Sequence, residues 1–371
     1  MDISFTQEHN ELRQTVRRFL ENDSSEAIVR KVMETESGYD ARTWERLGSE
    51  LSLVGLIIPE KNGGAGLGPV ELAIVFEEMG RTLYCGPYLA SAVLAASIVK
   101  DAATEAEKAK LLPEIASGKT IATLAVAEES GKANPDTVAM RAAKDGSGYK
   151  LDGVKNFVLD GHNSAVILVV ARDENGLGLF RVEGNAKGLE RAQLPTLDLT
   201  RKLANLTFKA TAATKISDGD ITKALRHTLT LGVAMLAAEQ VGSAQRCLEM
   251  STEYAKTRLQ FGRPIGSYQA IKHKCADMLV ETEFARSAAY NAAFALTEND
   301  VAEAEEAAAI AKSYCSDAAY KAAAENIQIH GGMGFTWEHP AHLYFKRARA
   351  NSMLFGDAAE HRLKLAAVLE L

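Results

Sequence analysis

The sequence predicts an α+β fold, with a helical N-terminal domain, a central β domain and a C-terminal helical bundle. Over residues 1–117 apolar residues recur at the spacing of amphipathic helices. Over residues 118–216 the apolar period falls to two, with β-branched runs separated by turn residues. Long Ala- and Leu-rich stretches fill residues 217–371, and long helices of this kind bury their apolar stripes against one another. We therefore expect a small β-barrel or sandwich, followed by a four-helix bundle.

The N-terminal domain should begin with a helix, because Phe5, Leu12 and Val16 recur at helical spacing with charged residues between them. A second helical pattern covers residues 43–53, and a third is expected over residues 69–82. The glycine-rich residues 55–68 do not predict a phosphate-binding loop, since no strand precedes them and no Gly-Lys-Ser/Thr follows. Further helices are expected over residues 88–100 and 103–116.

The central domain should contain short strands at close spacing, which is typical of a small antiparallel sandwich or barrel. The strands are expected at residues 120–126, 149–151, 157–159, 165–170 and 179–182.

The C-terminal domain should contain three long helices. They are expected over residues 218–256, 267–296 and 301–330, followed by shorter ones from residues 339 and 357. The run Ser217-Asp218-Gly219-Asp220 is a candidate N-cap for the first long helix, and Gly331-Gly332 should end the third.

Composition narrows the function classes. The chain has 371 residues, 47% hydrophobic and 25% charged, with a net charge of -7, which argues against binding to nucleic acid. The four cysteines show no metal-site spacing, so no metal is expected. No apolar signal region or membrane-spanning run is present, so we expect a soluble cytoplasmic protein that contacts no membrane.

The connection between the first two long helices is unusually rich in binding groups. Gly262-Arg263-Pro264-Ile265-Gly266 interrupts the helical pattern, and Arg258, Phe261 and Gln269 lie around it. Arginine binds anions and aromatic rings stack on planar ligands. A solvated basic turn is the alternative interpretation.

Three motifs resemble the acyl-CoA dehydrogenase family, and they occur in the family's order. They are Arg258-x-x-Phe261-Gly262, Tyr268-Gln269-Ala270-Ile271 and Gln328-Ile329-His330-Gly331-Gly332-Met333-Gly334-Phe335. Residues 55–68 also resemble the family's N-terminal loop. The resemblance covers essentially the whole chain. It implies FAD as cofactor and α,β-dehydrogenation of an acyl-CoA thioester to the trans-2-enoyl-CoA, with a carboxylate removing the α-proton.

The resemblance further implies that FAD lies at a subunit interface. One subunit holds the flavin ring, and its neighbour supplies the loop after the first long helix and the glutamine-glycine turn. The residues of this chain that match the neighbour's part are called the contributed groups. They are Arg258, Phe261, Gln269, Gln328, Gly331 and Gly332. Alternatives that need no cofactor are core packing for Phe261 and a plain helix-surface position for Gln328.

The residues that would hold the subunit's own flavin depart from the family pattern. A threonine-glutamate-proline run is replaced by Val126-Ala127-Glu128-Glu129, which lacks the hydroxyl. A tryptophan-isoleucine-threonine/serine run becomes Phe157-Val158-Leu159-Asp160, and Leu159 cannot donate a side-chain hydrogen bond. The usual catalytic glutamate corresponds to Phe355 in Leu354-Phe355-Gly356-Asp357, and phenylalanine has no proton chemistry.

No other position is a clear catalytic base. Some family members place the base on the first bundle helix, and the matching position here is Gly232. Glu239, seven residues later, is a weak candidate, and a structural hydrogen bond or ion pair is its alternative role. Asp357 should point away from Phe355 on a helix, and Glu360 and His361 should lie at the surface.

These matches favour a non-catalytic β-type subunit of a hetero-oligomeric acyl-CoA dehydrogenase, of α2β2 type. A catalytic α-type subunit would then be the partner, and bulky acyl-CoAs, including steroid side chains, the substrate class. The alternatives are a self-sufficient homo-oligomeric enzyme that uses Glu239 as base, and a structural protein that has lost the cofactor. An electron-transfer flavoprotein is a further partner that the family implies.

Overall fold

The computed structural model describes residues 5–298 and 300–368. Its α-helices, in chain order, are α1 Gln7–Asp23, α2 Glu26–Met33, α3 Ala41–Ser49, α4 Pro69–Thr82, α5 Ala96–Ala102, α6 Glu105–Ala116, α7 Thr222–Thr257, α8 Gln269–Ala295, α9 Val301–His330, α10 Ala341–Met353 and α11 Ala358–Val368. A π-helix, Tyr88–Ala95, leads directly into α5.

Seven strands form one sheet between α6 and α7. They are β1 Ala122–Ala125, β2 Ala142–Asp145, β3 Gly148–Leu159, β4 Val166–Asp173, β5 Gly176–Glu183, β6 Leu189–Gln193 and β7 Leu203–Lys215. The order is β1-β4-β5-β7-β3-β2, and β6 pairs with β7. A two-stranded hairpin, β8 Leu259–Gln260 and β9 Arg263–Pro264, follows α7.

The predicted α+β fold class is confirmed, and several local expectations need correction. Two expected short strands are one strand, β3, with irregular register near Gly153 and Lys155. The first strand, β1, pairs parallel with β4, whereas antiparallel pairing was expected. The chain makes β2 and β3 between β1 and β4, which gives the long connection that parallel strands require.

The first long helix begins at Thr222, four residues later than expected. Asp220 accounts for this start, because its carboxylate accepts a hydrogen bond from Thr222 N (2.8 Å) and another from Leu177 N (2.9 Å). Asp220 is therefore fixed to strand β5 and stays outside the helix, where a short acidic side chain satisfies the free N–H groups.

The chain forms two compact units. The helical unit comprises residues up to Lys31, Pro69–Tyr84 and the chain from Val233 onward, and the sheet unit comprises Val32–Gly68 and Cys85–Gly232. The three-domain division predicted from sequence stays a prediction. In the described part of the chain, no helix combines the length and apolarity needed to span a membrane.

The core of the sheet unit lies on the strands. Strand β4 is buried from Val166 to Ala171, and the large side chains Phe180 and Phe208 are buried with it. Such continuous apolar strands pack on both faces, which explains why β4 lacks the alternation of a half-exposed strand.

The helical unit depends on close contact between α4 and α7. A Cβ atom at Gly80 would lie 2.0 Å from Glu239 O, and one at Gly242 would lie 1.8 Å from Glu77 O. Only glycine permits this approach of one backbone to the other. Helix α9 is similarly lined with buried alanines, so its neighbours also pack closely.

Candidate functional site

The hairpin after α7 presents Phe261 to solvent. Gln260 pairs with Arg263, so Phe261 and Gly262 are the two residues of the turn. Both have positive φ, +51° and +79°, the signs of a type I′ turn. A left-handed φ is unfavourable for a large aromatic residue, and Phe261 is nevertheless 92% exposed. Its side chain contributes little to the chain's own core, which argues against the core-packing alternative.

Arg258 and Gln269 flank the hairpin and are also exposed. Among the described residues, none forms a hydrogen bond or ion pair with either side chain. The other arginine is held differently, because Arg263 lies over the ring of Tyr268 at 4.1 Å, and Tyr268 Oη donates to Gln260 O (3.3 Å). The hairpin thus leaves one guanidinium, Arg258, available for an external anion.

The turn after α9 has a backbone conformation that favours glycine. Gly331 ends the helix with φ 61° and ψ -140°, a conformation that residues with a Cβ rarely adopt. A Cβ atom at Gly331 or Gly332 would meet nothing within 4 Å. Gln328, on the last turn of α9, is exposed, and its side chain forms no hydrogen bond with any described residue, while its backbone O accepts from Gly331 N.

Aromatic stacking brings the hairpin and the glycine turn to the same end of the bundle. The rings of Tyr254, near the end of α7, and His330, the last residue of α9, stack with centroids 4.3 Å apart. One turn earlier, Ser251 Oγ donates to Asn326 Oδ1 (3.0 Å). The sequence identified the exposed groups but missed Tyr254. The signal was its position four residues before Arg258, on the same side of α7.

The run that should face a flavin lies in the sheet unit and has no side-chain donor at its centre. Leu159 is buried, and its backbone O accepts from Thr123 Oγ1 (2.6 Å). Phe157 has a positive φ of +54° and is 51% exposed, with its N donating to Asn205 Oδ1 (3.2 Å). A strained backbone such as that of Phe157 is common at functional sites, but the Leu159 side chain has no hydrogen-bond donor or acceptor.

Glu128 has a structural role beside this run. Its carboxylate accepts from the N atoms of Ala139 and Met140 and forms an ion pair with Lys155 at 2.7 Å. Burial lowers the pKa of Lys155 to about 8, while Glu128 opposes that shift. Burial alone would raise the pKa of Glu128, but the hydrogen bond from Lys155 keeps it below its ordinary value. The Lys155 ammonium and the Glu128 carboxylate are therefore each bound by the other.

The segment that would carry the usual base is a loop between α10 and α11. Phe355 is partly buried, with a positive φ of +58°. Asp357 was expected on a helix pointing away from Phe355, and this was wrong. It precedes α11 and caps it, since its Oδ1 accepts from Glu360 N (2.8 Å). His361 was expected at the surface and is 3% exposed, with Nε2 donating to Phe355 O (3.0 Å).

The charged groups behind this loop are buried. Burial lowers the pKa of His361 to about 4. Lys312, on α9, donates to Asn351 O (2.9 Å) and Ser352 O (3.2 Å), so an ammonium binds the C-terminal carbonyls of α10. Burial also lowers the pKa of Lys312 to about 8. These groups position the loop and lie too deep to contact a substrate.

Glu239 is bound within the bundle. It is 2% exposed, and its Oε1 accepts from Arg347 Nη1 (2.5 Å) and Asn351 Nδ2 (3.0 Å). This arrangement matches the structural alternative, because the guanidinium stabilises the carboxylate and occupies it. Gly232 lies buried within α7 and carries no side chain.

The two halves of the implied FAD site therefore fit the cofactor unequally. The contributed groups fit, since a free guanidinium, an exposed ring and two open glycines lie at one end of the bundle. The groups for a subunit's own flavin do not fit, because Leu159 and Phe355 offer neither a donor nor a base. Within residues 5–298 and 300–368, no group of three or more His, Cys, Asp or Glu could hold a metal.

Comparison with known proteins identifies the family. Models of the acyl-CoA dehydrogenase N-terminal and C-terminal domains match residues 6–119 and 222–370. The chain is 33% identical over 362 residues to "Acyl-CoA dehydrogenase IpdE2" of Mycolicibacterium smegmatis, covering 98% of this chain and 99% of that protein.

Solved structures agree over the full length. The ChsE4-ChsE5 complex from Mycobacterium tuberculosis superposes with a TM-score of 0.91 at 28% identity, covering 100% of this chain and 99% of that chain. A variant of the Tcur3481-Tcur3483 steroid ACAD superposes with a TM-score of 0.89 at 30% identity, covering 98% of both chains. The chain belongs to the acyl-CoA dehydrogenase family, whose members bind FAD, and is an acyl-CoA dehydrogenase or a subunit of one.

Proposed function

We propose that this chain is the non-catalytic, β-type subunit of a hetero-oligomeric acyl-CoA dehydrogenase. One observation carries the proposal: the contributed groups are intact and exposed at one end of the bundle, whereas the chain's own flavin-facing and base positions are occupied by Leu159 and Phe355. A homo-oligomer needs both sets of groups from one sequence. This sequence supplies one set.

The contributed groups have distinct tasks in a partner's site. The Arg258 guanidinium binds a pyrophosphate, since it has no competing carboxylate among the described residues. Phe261 packs against the cofactor through its fully presented ring. Gln269 and Gln328 supply amide hydrogen bonds, and the open space at Gly331 and Gly332 leaves the backbone accessible to the cofactor.

The contributed groups would help to hold FAD in the partner's site, where the cofactor would supply the acceptor for a hydride from the acyl-CoA. In the described part of the chain, neither candidate position can remove the α-proton, because Phe355 has no ionisable group and the Glu239 carboxylate is bound by Arg347. A chain with the contributed groups and without a base supports catalysis by completing a cofactor site.

The similar structures support a heteromeric partner. One of them is the ChsE4-ChsE5 complex and another the Tcur3481-Tcur3483 steroid ACAD. On this basis we propose a catalytic α-type subunit as partner and a bulky acyl-CoA, of the steroid side-chain class, as its substrate. An electron-transfer flavoprotein would reoxidise the complex in the cytoplasm.

Copurification from the native host tests the proposal. The chain expressed alone should be colourless between 300 and 550 nm, and the complex with its catalytic partner should carry flavin. A lone chain with stoichiometric flavin that dehydrogenates an acyl-CoA would refute the proposal and favour the homo-oligomeric alternative.

A matched pair of variants locates the contact. Arg258→Ala in the complex should weaken flavin retention by roughly 10- to 100-fold, the effect of losing a hydrogen bond to a charged group. Arg349→Ala removes another exposed arginine, from α10, and should leave flavin retention unchanged. Equal flavin retention in the two variants would show that Arg258 does not contact the cofactor. A complex that never binds flavin would instead favour the structural-protein alternative.

A further inference from the structure

Two histidines bracket the loop that carries the contributed glycines. His330 is the last residue of α9, and His339 lies two residues before the first residue of α10. The ten residues from 331 to 340, called the glycine loop, follow directly after His330 and include His339 as their last residue but one. Their rings are close together, with centroids 4.3 Å apart.

The hydrogen bond of His330 requires a proton on Nδ1. This atom lies 2.8 Å from the carbonyl O of Asn326, and a carbonyl only accepts. The bond lies at the C-terminal end of α9, where the helix dipole favours positive charge. His330 can therefore keep this bond in either its neutral or its charged form.

The hydrogen bond of His339 requires the opposite state. Its Nδ1 accepts from Ala341 N at 3.2 Å, and a backbone N–H can only donate. A proton on Nδ1 would remove this acceptor. It would also place a positive charge at the N-terminal end of α10, which the helix dipole disfavours. The geometry thus fixes His339 as a neutral imidazole with its proton on Nε2.

The charged groups around His339 come from three elements. On α2, Glu26 favours a positive charge there and Arg30 opposes it, while Glu26 and Arg30 pair with each other at 2.9 Å. His330 on α9 and His342 on α10 both oppose it. Burial, more than these charges, lowers the pKa of His339 below its ordinary value.

We propose that His339 is the positioning residue of the glycine loop: its neutral imidazole caps α10 and fixes the loop, and its protonation releases the loop. The cap itself does not depend on the proposed function. Its consequence, that acidification loosens the contact with a partner's cofactor, rests on that function.

The pH range follows from the direction of the shift. A histidine whose pKa is lowered on folding contributes stability that is fully present above its ordinary value of 6.5. This contribution is lost as the pH falls from 6.5 through the lowered value. The glycine loop should accordingly be more protected at neutral pH than at a pH below 6.5.

Hydrogen–deuterium exchange of the full chain tests the proposal between pH 5 and 8, after correction for intrinsic exchange rates. Protection of the peptide over residues 331–343 should fall roughly fivefold as the pH drops below 6.5, the effect of one helix-cap bond. Helix α8 should stay protected. A flat profile, or an equal loss in α8 and the glycine loop, would overturn the proposal.

Two substitutions separate titration from simple packing. The Oδ1 atom of asparagine replaces His Nδ1 as acceptor and does not titrate, so His339→Asn should keep the loop protected at every pH. His339→Leu lacks the acceptor and should expose the loop roughly fivefold more at every pH. In the control variant His273→Asn, at an exposed position on α8, loop protection should depend on pH as it does in the parent chain. A His339→Asn profile that matches the parent would refute the role of His339.

These measurements use the chain without a partner, so they succeed or fail independently of flavin binding. If the cap titrates and the complex retains flavin equally at pH 5.5 and pH 7.5, the loop is positioned by His339 but does not contact the cofactor, and its consequence for the partner's site is wrong.

Discussion

Replacing Glu239 by glutamine distinguishes a structural carboxylate from a catalytic one. In the structure, Glu239 and Arg347 are each 2% exposed and form an ion pair at 2.5 Å, which Asn351 joins. Glu239→Gln keeps the size of the side chain and removes its charge. The Arg347 guanidinium then stays buried beside a neutral amide in place of the carboxylate.

The expected cost is large because the buried guanidinium loses its Glu239 carboxylate and cannot reach water. Removing one partner of a buried ion pair destabilises a protein by about 3–5 kcal/mol. At about 2.1 cal/mol/K per residue, unfolding 371 residues has an entropy near 0.8 kcal/mol/K. If all residues unfold in one transition, the melting temperature should fall by about 4–6 °C.

Calorimetry at pH 7 measures this shift, with Glu281→Gln as the control. Glu281 also pairs with a lysine, Lys321, but its side chain is 31% exposed, so its loss should cost below about 1 kcal/mol. The reasoning is refuted if Glu239→Gln melts within 1 °C of the parent chain while the complex loses turnover. That outcome would instead identify Glu239 as the base of a self-sufficient enzyme.

Three further variants test other parts of the structure. Gly242→Ala should destabilise the chain by about 1–3 kcal/mol in denaturant titrations, because its Cβ would lie 1.8 Å from Glu77 O, whereas Gly332→Ala, with nothing within 4 Å, should not. Between pH 8 and 10.5 the unfolded chain keeps a proton on Lys312 that the folded chain has lost. The free energy of unfolding should therefore rise with pH by up to about 1.4 kcal/mol per pH unit, and Lys312→Met should lack this rise. Phe261→Gly removes a side chain from a residue with left-handed φ, so the free energy of unfolding should stay equal or rise by about 1 kcal/mol. Flavin retention by the complex should fall. A clear loss of stability would show that the ring packs on its own chain.

The sequence predicted best where local chemistry decides structure. Helix α4 and helix α9 have the predicted bounds, since Pro69 begins one and Gly331 ends the other. The same helix-breaking residues exposed the contributed groups, so their accessibility also followed from the sequence. What Arg258 and Phe261 bind stays a prediction.

The remaining features depend on which elements become neighbours. The stack of Tyr254 on His330 requires the ends of α7 and α9 to meet, and no periodicity within either helix encodes that meeting. His361 has charged neighbours in sequence, Glu360 and Arg362, and yet its own face of α11 turns inward. The parallel pairing of β1 with β4 likewise follows from the path of the chain between them.

The helical unit is made of three separate segments of the chain, and their positions determine when each one is synthesised. Helices α1 and α4 leave the ribosome early, but α7, whose backbone meets that of α4 at Gly80 and Gly242, comes only after the whole sheet unit. At about 5–20 residues per second, translation leaves the apolar faces of α1 and α4 uncovered for a time on the order of tens of seconds. The contributed groups, at residues 258–332, are also made after the whole sheet unit, so a partner subunit can meet them only late in synthesis or after it. Nascent chains should therefore need chaperone protection at their N-terminal helices until α7 has been made.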